Sequence, residues 1–78
     1  MTLEEAKEKI QLGKKYQHYE GRIYAVDCIT IDVETSRPMV LYHEVETEEA
    51  IKYFVRSADT WLEPETIIVP RFKLLKEE

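Results

Sequence analysis

Apolar residues change their spacing once along this chain, near Lys15, and that change constrains the fold more than any other feature. Before it, Leu3, Ala6 and Ile10 recur at i, i+3 and i+7, the stripe of an amphipathic helix. After it, short runs alternate apolar and polar residues and are separated by turn sequences such as Glu20-Gly21 and Thr35-Ser36-Arg37-Pro38. The expectation is a short helix followed by antiparallel strands. Thr2 and Glu5 have capping-box spacing, which places the helix over residues 3–11, and Gly13 stands where a left-handed residue would end it. A helix this short is not stable alone in water, so its stripe must lie on the rest of the domain or on a second copy.

Five extended segments follow, at residues 15–19, 22–34, 39–45, 51–56 and 66–75. The second is apolar on both sides. Ile23, Ala25, Ile29, Ile31 and Val33 mark one face and Tyr24, Val26 and Cys28 the other, as in a strand that bends and serves two sides of a small closed sheet. Pro38 closes the turn after it, and Glu46 to Glu49 form an acidic loop. Ser57 caps one helical turn reaching Leu62, which Pro64 stops. The last strand opens on the β-branched run Thr66 to Val69 and is interrupted by Pro70. The pattern is mainly β: a small five-stranded SH3-like barrel with a short N-terminal α-helix and one helical turn before the last strand. It makes one domain over residues 1–78, with 1–12 as a helical extension and 13–75 as the barrel.

A chain of 78 residues buries only about 60% of the surface its unfolded form exposes, so no large pocket is expected. Cys28 has no partner in the chain, the start is acidic, and no run approaches the roughly 20 apolar residues of a membrane span. These features predict a cytoplasmic protein without a membrane segment. A net charge of −5 speaks against a protein whose main work is neutralising phosphates, although Lys7, Lys9, Lys14, Lys15 and Arg22 gather in the first third of the chain.

Four blocks carry a likeness to a known family: Tyr16-Gln17-His18-Tyr19-Glu20-Gly21, Glu34-Thr35 with Pro38-Met39-Val40-Leu41-Tyr42, Val55-Arg56, and Val69-Pro70-Arg71-Phe72. In this order and spacing they resemble the small bacterial domain-of-unknown-function family numbered 1653, over about residues 13–73. The resemblance implies an SH3-type barrel and brings no activity, substrate or cofactor with it. Three residues depart from the family pattern: Glu20 where lysine is favoured, Asp32 where histidine is, and Ser57 where proline is. Two of these remove positive or titratable character.

Among groups that carry chemistry, His18 is the natural proton-transfer candidate, and its structural alternative is a ring bonding the backbone. Asp32 and Glu34, two residues apart on one strand face, form a carboxylate pair if buried and exposed strand-end acids otherwise. His43 and Glu44 point to opposite faces of a regular strand, and no metal or cofactor site is expected. Only Gly13 and Gly21 are present, so there is no Gly-rich phosphate cradle. Arg56 and Arg71 each follow an apolar β-branched stretch, where a guanidinium either forks onto a carboxylate or stacks on a ring. Tyrosines supply broad contact area with a hydroxyl, and Tyr16, Tyr19, Tyr42, Tyr53 and Trp61 are groove candidates, whereas Tyr24, Phe54, Trp61 and Phe72 are expected to be mostly buried. The leading expectation is a non-enzymatic module that binds a protein or peptide through Tyr16, His18, Tyr19, Glu34, Tyr42, Arg56 and Arg71. The alternatives are a nucleic-acid-binding small barrel and a minor enzyme using His18 with Glu34; a homodimer through the N-terminal helix is a separate expectation.

Overall fold

Thr2 opens the first element as its spacing predicts. In the computed structural model, which describes residues 1–76, the Thr2 hydroxyl accepts from the Glu5 amide at 3.1 Å, and the Glu5 carboxylate accepts from the Thr2 amide at 3.4 Å. Helix α1 spans Leu3–Lys9, with Glu4 and Glu5 in its first turn and Lys7 and Lys9 in its last, the order the helix dipole favours. It stops short of residue 11 because Ile10 is already extended, turning its side chain into the core. Gly13 is therefore not the cap. It lies three residues beyond Ile10 with φ of 71°, and its amide donates to the Val26 carbonyl at 2.9 Å, tying the connection to the sheet. Ala6 and Ile10 are fully buried within the same chain, against β2. The stripe is thus used internally, against the sheet of its own chain.

The remaining elements are β1 Lys15–His18, β2 Ile23–Ile31, β3 Pro38–Glu44, β4 Tyr53–Ser57, α2 Ala58–Leu62 and β5 Phe72–Leu74. All strand pairs are antiparallel and the sheet order is β4-β3-β2-β1-β5. Among the described residues the outer strands β4 and β5 do not pair, so the ladder is not closed into a ring. α2 and residues 63–71 run from one edge to the other. Ser57 caps α2 by accepting from the Thr60 amide at 3.1 Å, as its position predicts.

Several predicted boundaries are corrected. Pro38 lies inside β3, buried and opposite Ile31, because the first residue of a strand tolerates a missing donor. β2 ends at Ile31 and not at residue 34, since the Asp32 carboxylate accepts from the Glu34 amide at 2.9 Å and starts a turn in which Ser36 takes a φ of 61°. β4 begins at Tyr53, two residues later than expected. The run Thr66 to Val69 is no strand: the Glu65 and Thr66 amides both donate to the Val69 carbonyl, and the Val69 amide donates to the Thr66 hydroxyl, closing a tight turn. With no neighbouring strand to pack on, β-branched side chains do not enforce extension.

The double apolar pattern of β2 has a local cause. Val26 pairs with Tyr42 and Cys28 with Leu41, leaving Asp27 as the extra residue of a bulge. The bulge shifts the alternation by one, so Val26 before it and Ile29 after it face the same core, opposite buried Tyr42 and Val40. That core is rich in rings. Trp61 stacks on Phe72 with centroids 3.7 Å apart and planes 4° from parallel, and Tyr16 and Tyr42 meet Trp61 edge-on at 5.4 and 5.0 Å. Trp61 and Phe72 are buried as expected and Tyr24 is half-buried, but Phe54, on an outer strand, is exposed.

Candidate functional site

The β1–β2 hairpin turns on a glycine. The His18 amide donates to the Arg22 carbonyl at 2.8 Å and the Gly21 amide to the His18 carbonyl at 2.7 Å, with Gly21 at a φ of 113° that side chains resist. This tight turn holds the His18 and Tyr19 rings beside the gap between the outer strands. His18 also pairs in register with Phe72 of β5, and their rings meet edge-on at 5.0 Å. Across the gap, the Arg56 guanidinium of β4 lies 5.3 Å above the Phe72 ring, and its Nε donates to the Tyr42 hydroxyl at 3.3 Å. Together these groups border a cleft of about 270 Å³, with Tyr24 and Tyr42 along its wall and Arg22, Arg71 and Glu20 around it. The cleft occupies the seam where the sheet fails to close.

Positive charge converges there. Arg71 is held by Glu65, at 3.4 Å from its guanidinium, and donates from Nε to the Glu63 carbonyl at 3.4 Å, while Arg22 reaches Glu44 at 3.2 Å. Arg56 is half-buried, and among the described residues no carboxylate forms an ion pair with it. Its terminal N–H groups are available to an acceptor in the cleft. Partial burial holds the His18 ring below its ordinary pKa of 6.5; Glu20 opposes this, and the Arg56 and Arg71 charges add to it. The shift favours the neutral His18 ring at pH 7. Its Nδ1 accepts from the Glu20 amide at 3.2 Å, which assigns the proton to Nε2. Burial, with Glu44 next in size, pushes the Tyr24 phenol above its ordinary value, so that wall keeps a hydroxyl donor at neutral pH. The site can accept an anion through guanidinium and neutral N–H or O–H donors.

The depressed His18 value fixes a sign for pH dependence. Between the folded value and 6.5 the unfolded chain binds more protons, so this residue's contribution to stability falls as pH drops through that window and is constant above it. The imidazole Cε1 resonance of His18, followed by NMR, is expected to titrate with a midpoint below 6.5. A midpoint above it would contradict this charge arrangement.

Of the residues selected from sequence, the fold brings His18, Tyr19, Tyr42, Arg56 and Arg71 around one cleft and leaves two out. Tyr16 is a core residue. Its ring packs on Trp61, and its hydroxyl accepts from the Gln11 amide at 3.0 Å, satisfying the backbone where α1 exits. Glu34 is exposed in the β2–β3 turn, at the far end of β2 from the strand's pairing with Gln17, so it and His18 belong to opposite ends of the sheet. Asp32 and Glu34 share a turn rather than a buried carboxylate pair. Tyr53 stands exposed beside His43, and Trp61 belongs to the core. Sequence reasoning missed Glu20, Arg22 and Tyr24 as cleft residues. Their signal was position, since all three flank the glycine turn that carries His18. It also missed the contact of 2.7 Å between His43 Nδ1 and the Asp27 carboxylate, which the bulge creates. Among the described residues no helix is long and apolar enough to cross a membrane.

An open antiparallel sheet of five strands, with a helix packed into its core and a guanidinium-lined cleft at its seam, defines the class: a small β domain with a concave polar face. Residues 14–74 match the family described as "Protein of unknown function (DUF1653)", and the chain belongs to that family. The fold is also similar to that in the crystal structure of a protein of the same family from Bordetella bronchiseptica, with a TM-score of 0.69 at 23% identity, covering 91% of this chain and 97% of that one. No curated protein matches the chain.

Proposed function

We propose that this chain is a non-enzymatic binding module, an SH3-like small barrel left open at one seam, and that the seam takes the carboxylate of a protein or peptide partner. The strand order β4-β3-β2-β1-β5 and the helical turn between β4 and β5 support the barrel reading. One observation carries the functional reading: Arg56 is oriented by Tyr42 and Phe72, half-buried, and free of any internal carboxylate among the described residues. A guanidinium fixed in this way presents a planar fork that suits a carboxylate. No nucleophile with an adjacent base lines the cleft, which favours binding over catalysis. The nucleic-acid alternative draws on Lys7, Lys9, Lys14, Lys15 and Arg22 with stacked tyrosines; the four lysines do not line the cleft, and Arg22, which does, is paired with Glu44.

Titration of the ¹⁵N-labelled chain with the tripeptide acetyl-Gly-Ser-Gly, which offers one free carboxylate, tests this reading. Amide shifts are expected to saturate and to concentrate at His18, Tyr24, Arg56, Arg71 and Phe72. The Arg56→Gln variant should stay folded and lose the response by about tenfold or more, the size typical of a charge-assisted bond. An unchanged response in that variant, or shifts spread over the lysines of α1, would overturn the proposal.

A further inference from the structure

The cleft has a neighbour. A second depression, also about 270 Å³, shares His18 and Tyr19 with the first and is otherwise lined by Gln17, Gly21, Val69, Pro70 and Lys73. The two spaces differ in chemistry: beyond the shared His18 and Tyr19, guanidinium groups line one, while a proline ring and a valine line the other. The two shared rings pack on each other, with centroids 4.4 Å apart. Each space is smaller than the roughly 300–1,000 Å³ of a site for a whole drug-sized molecule, so each suits one chemical group. The apolar depression is flanked by the Glu65–Val69 turn, which holds Ile67 and Ile68 in solvent at 100% and 87% exposure. Arg71 pairs with Glu65 and so fixes this turn to the rim of the charged cleft.

We infer that the module reads peptide carboxyl termini, with the terminal carboxylate on Arg56 and the side chain of the last residue, aliphatic, in the Tyr19–Val69–Pro70 groove. The inference rests on the carboxylate reading above and adds the identity of the partner. The argument is one of spacing and charge. A terminal carboxylate and its own side chain branch from a single Cα, so they separate by only a few bonds and can enter two spaces that share the His18 and Tyr19 side chains. An internal acid next to an apolar residue cannot do this in an extended peptide, because adjacent side chains point to opposite faces. Lys73 at the edge of the groove adds a positive charge on the path by which an acidic tail approaches. Backbone capture of a terminal carboxylate beside a side-chain pocket is an established recognition mode, and here side-chain donors supply the anion contacts.

Three further probes test it against acetyl-Gly-Ser-Gly: acetyl-Gly-Ser-Leu, its carboxamide, and acetyl-Gly-Asp-Leu-amide, which sets an internal acid directly beside a leucine and has no free terminus. Acetyl-Gly-Ser-Leu is expected to bind about tenfold or more tightly than the glycine-ended acid, the gain for burying an aliphatic side chain. The carboxamide and the internal-acid peptide should each bind about tenfold or more weakly than acetyl-Gly-Ser-Leu. Val69→Ser should remove the leucine preference and leave glycine-acid binding intact. Equal affinity for leucine and glycine ends, with Arg56→Gln still abolishing both, overturns this inference and leaves the carboxylate reading standing. Equal affinity for the internal-acid peptide overturns the terminal assignment, and absence of saturable binding by any free acid overturns both.

Discussion

Trp61→Ala is expected to remove about 3–5 kcal/mol, a large share of the stability a chain this short can have. Trp61 is 2% exposed, stacks face to face on Phe72 and receives the edges of Tyr16 and Tyr42, so one side chain joins α2 to β1, β3 and β5. Truncating a buried tryptophan costs about 3–5 kcal/mol, because the lost burial is joined by a cavity that rigid rings cannot fill. At roughly 0.05–0.15 kcal/mol per residue, a domain of this length has on the order of 4–12 kcal/mol in total. Urea titration followed by far-ultraviolet circular dichroism gives the answer, and a loss below about 1 kcal/mol would show that the ring cluster is not what holds the sheet curved. Trp61→Phe, which keeps an aromatic plane against Phe72, is expected to recover most of the loss.

A chain beginning at Gly13 is expected to lose cooperative unfolding altogether. Such a truncation removes Ala6 and Ile10, both fully buried, along with Leu3 packed against them and the Gln11 amide that satisfies the Tyr16 hydroxyl. Loss of one buried isoleucine alone costs about 2–5 kcal/mol, and the uncovered face of β2 would add apolar surface exposed to water. Sedimentation and thermal melting of the shortened chain distinguish this from an appendage. A sharp melt and a well-dispersed NMR spectrum would show that α1 is dispensable to the fold.

What the sequence made legible was local chemistry. Thr2 with Glu5 and Ser57 before α2 act through neighbours three residues away, so their caps appear where spacing places them. The bulge at Asp27 was not legible, because a strand apolar on both sides permits either a bend or a slipped alternation, and only the partner register of Tyr42 and Leu41 decides. Thr66 to Val69 misled for a related reason: strand propensity describes fit to a neighbouring strand, and no strand lies beside that turn. Tyr16 and His18 do share a face, two residues apart, as alternation requires. Their fates differ by what lies above them, since Tyr16 sits beneath Trp61 while His18 falls past the core at the strand's end. Arg56 and Arg71 could be singled out by residue type, but their convergence depends on two outer strands meeting across an unpaired gap, which no local pattern encodes.

The seam has one more implication. Arg56 and Arg71 stand on opposite lips of an unlaced opening, and the chain bridges those lips only through α2 and the turn after it. A guest gripped by both arginines would act as a clasp, so its affinity would add to the stability of the fold. The tighter such a guest, the rarer any opening that would bring water to the ring cluster beneath.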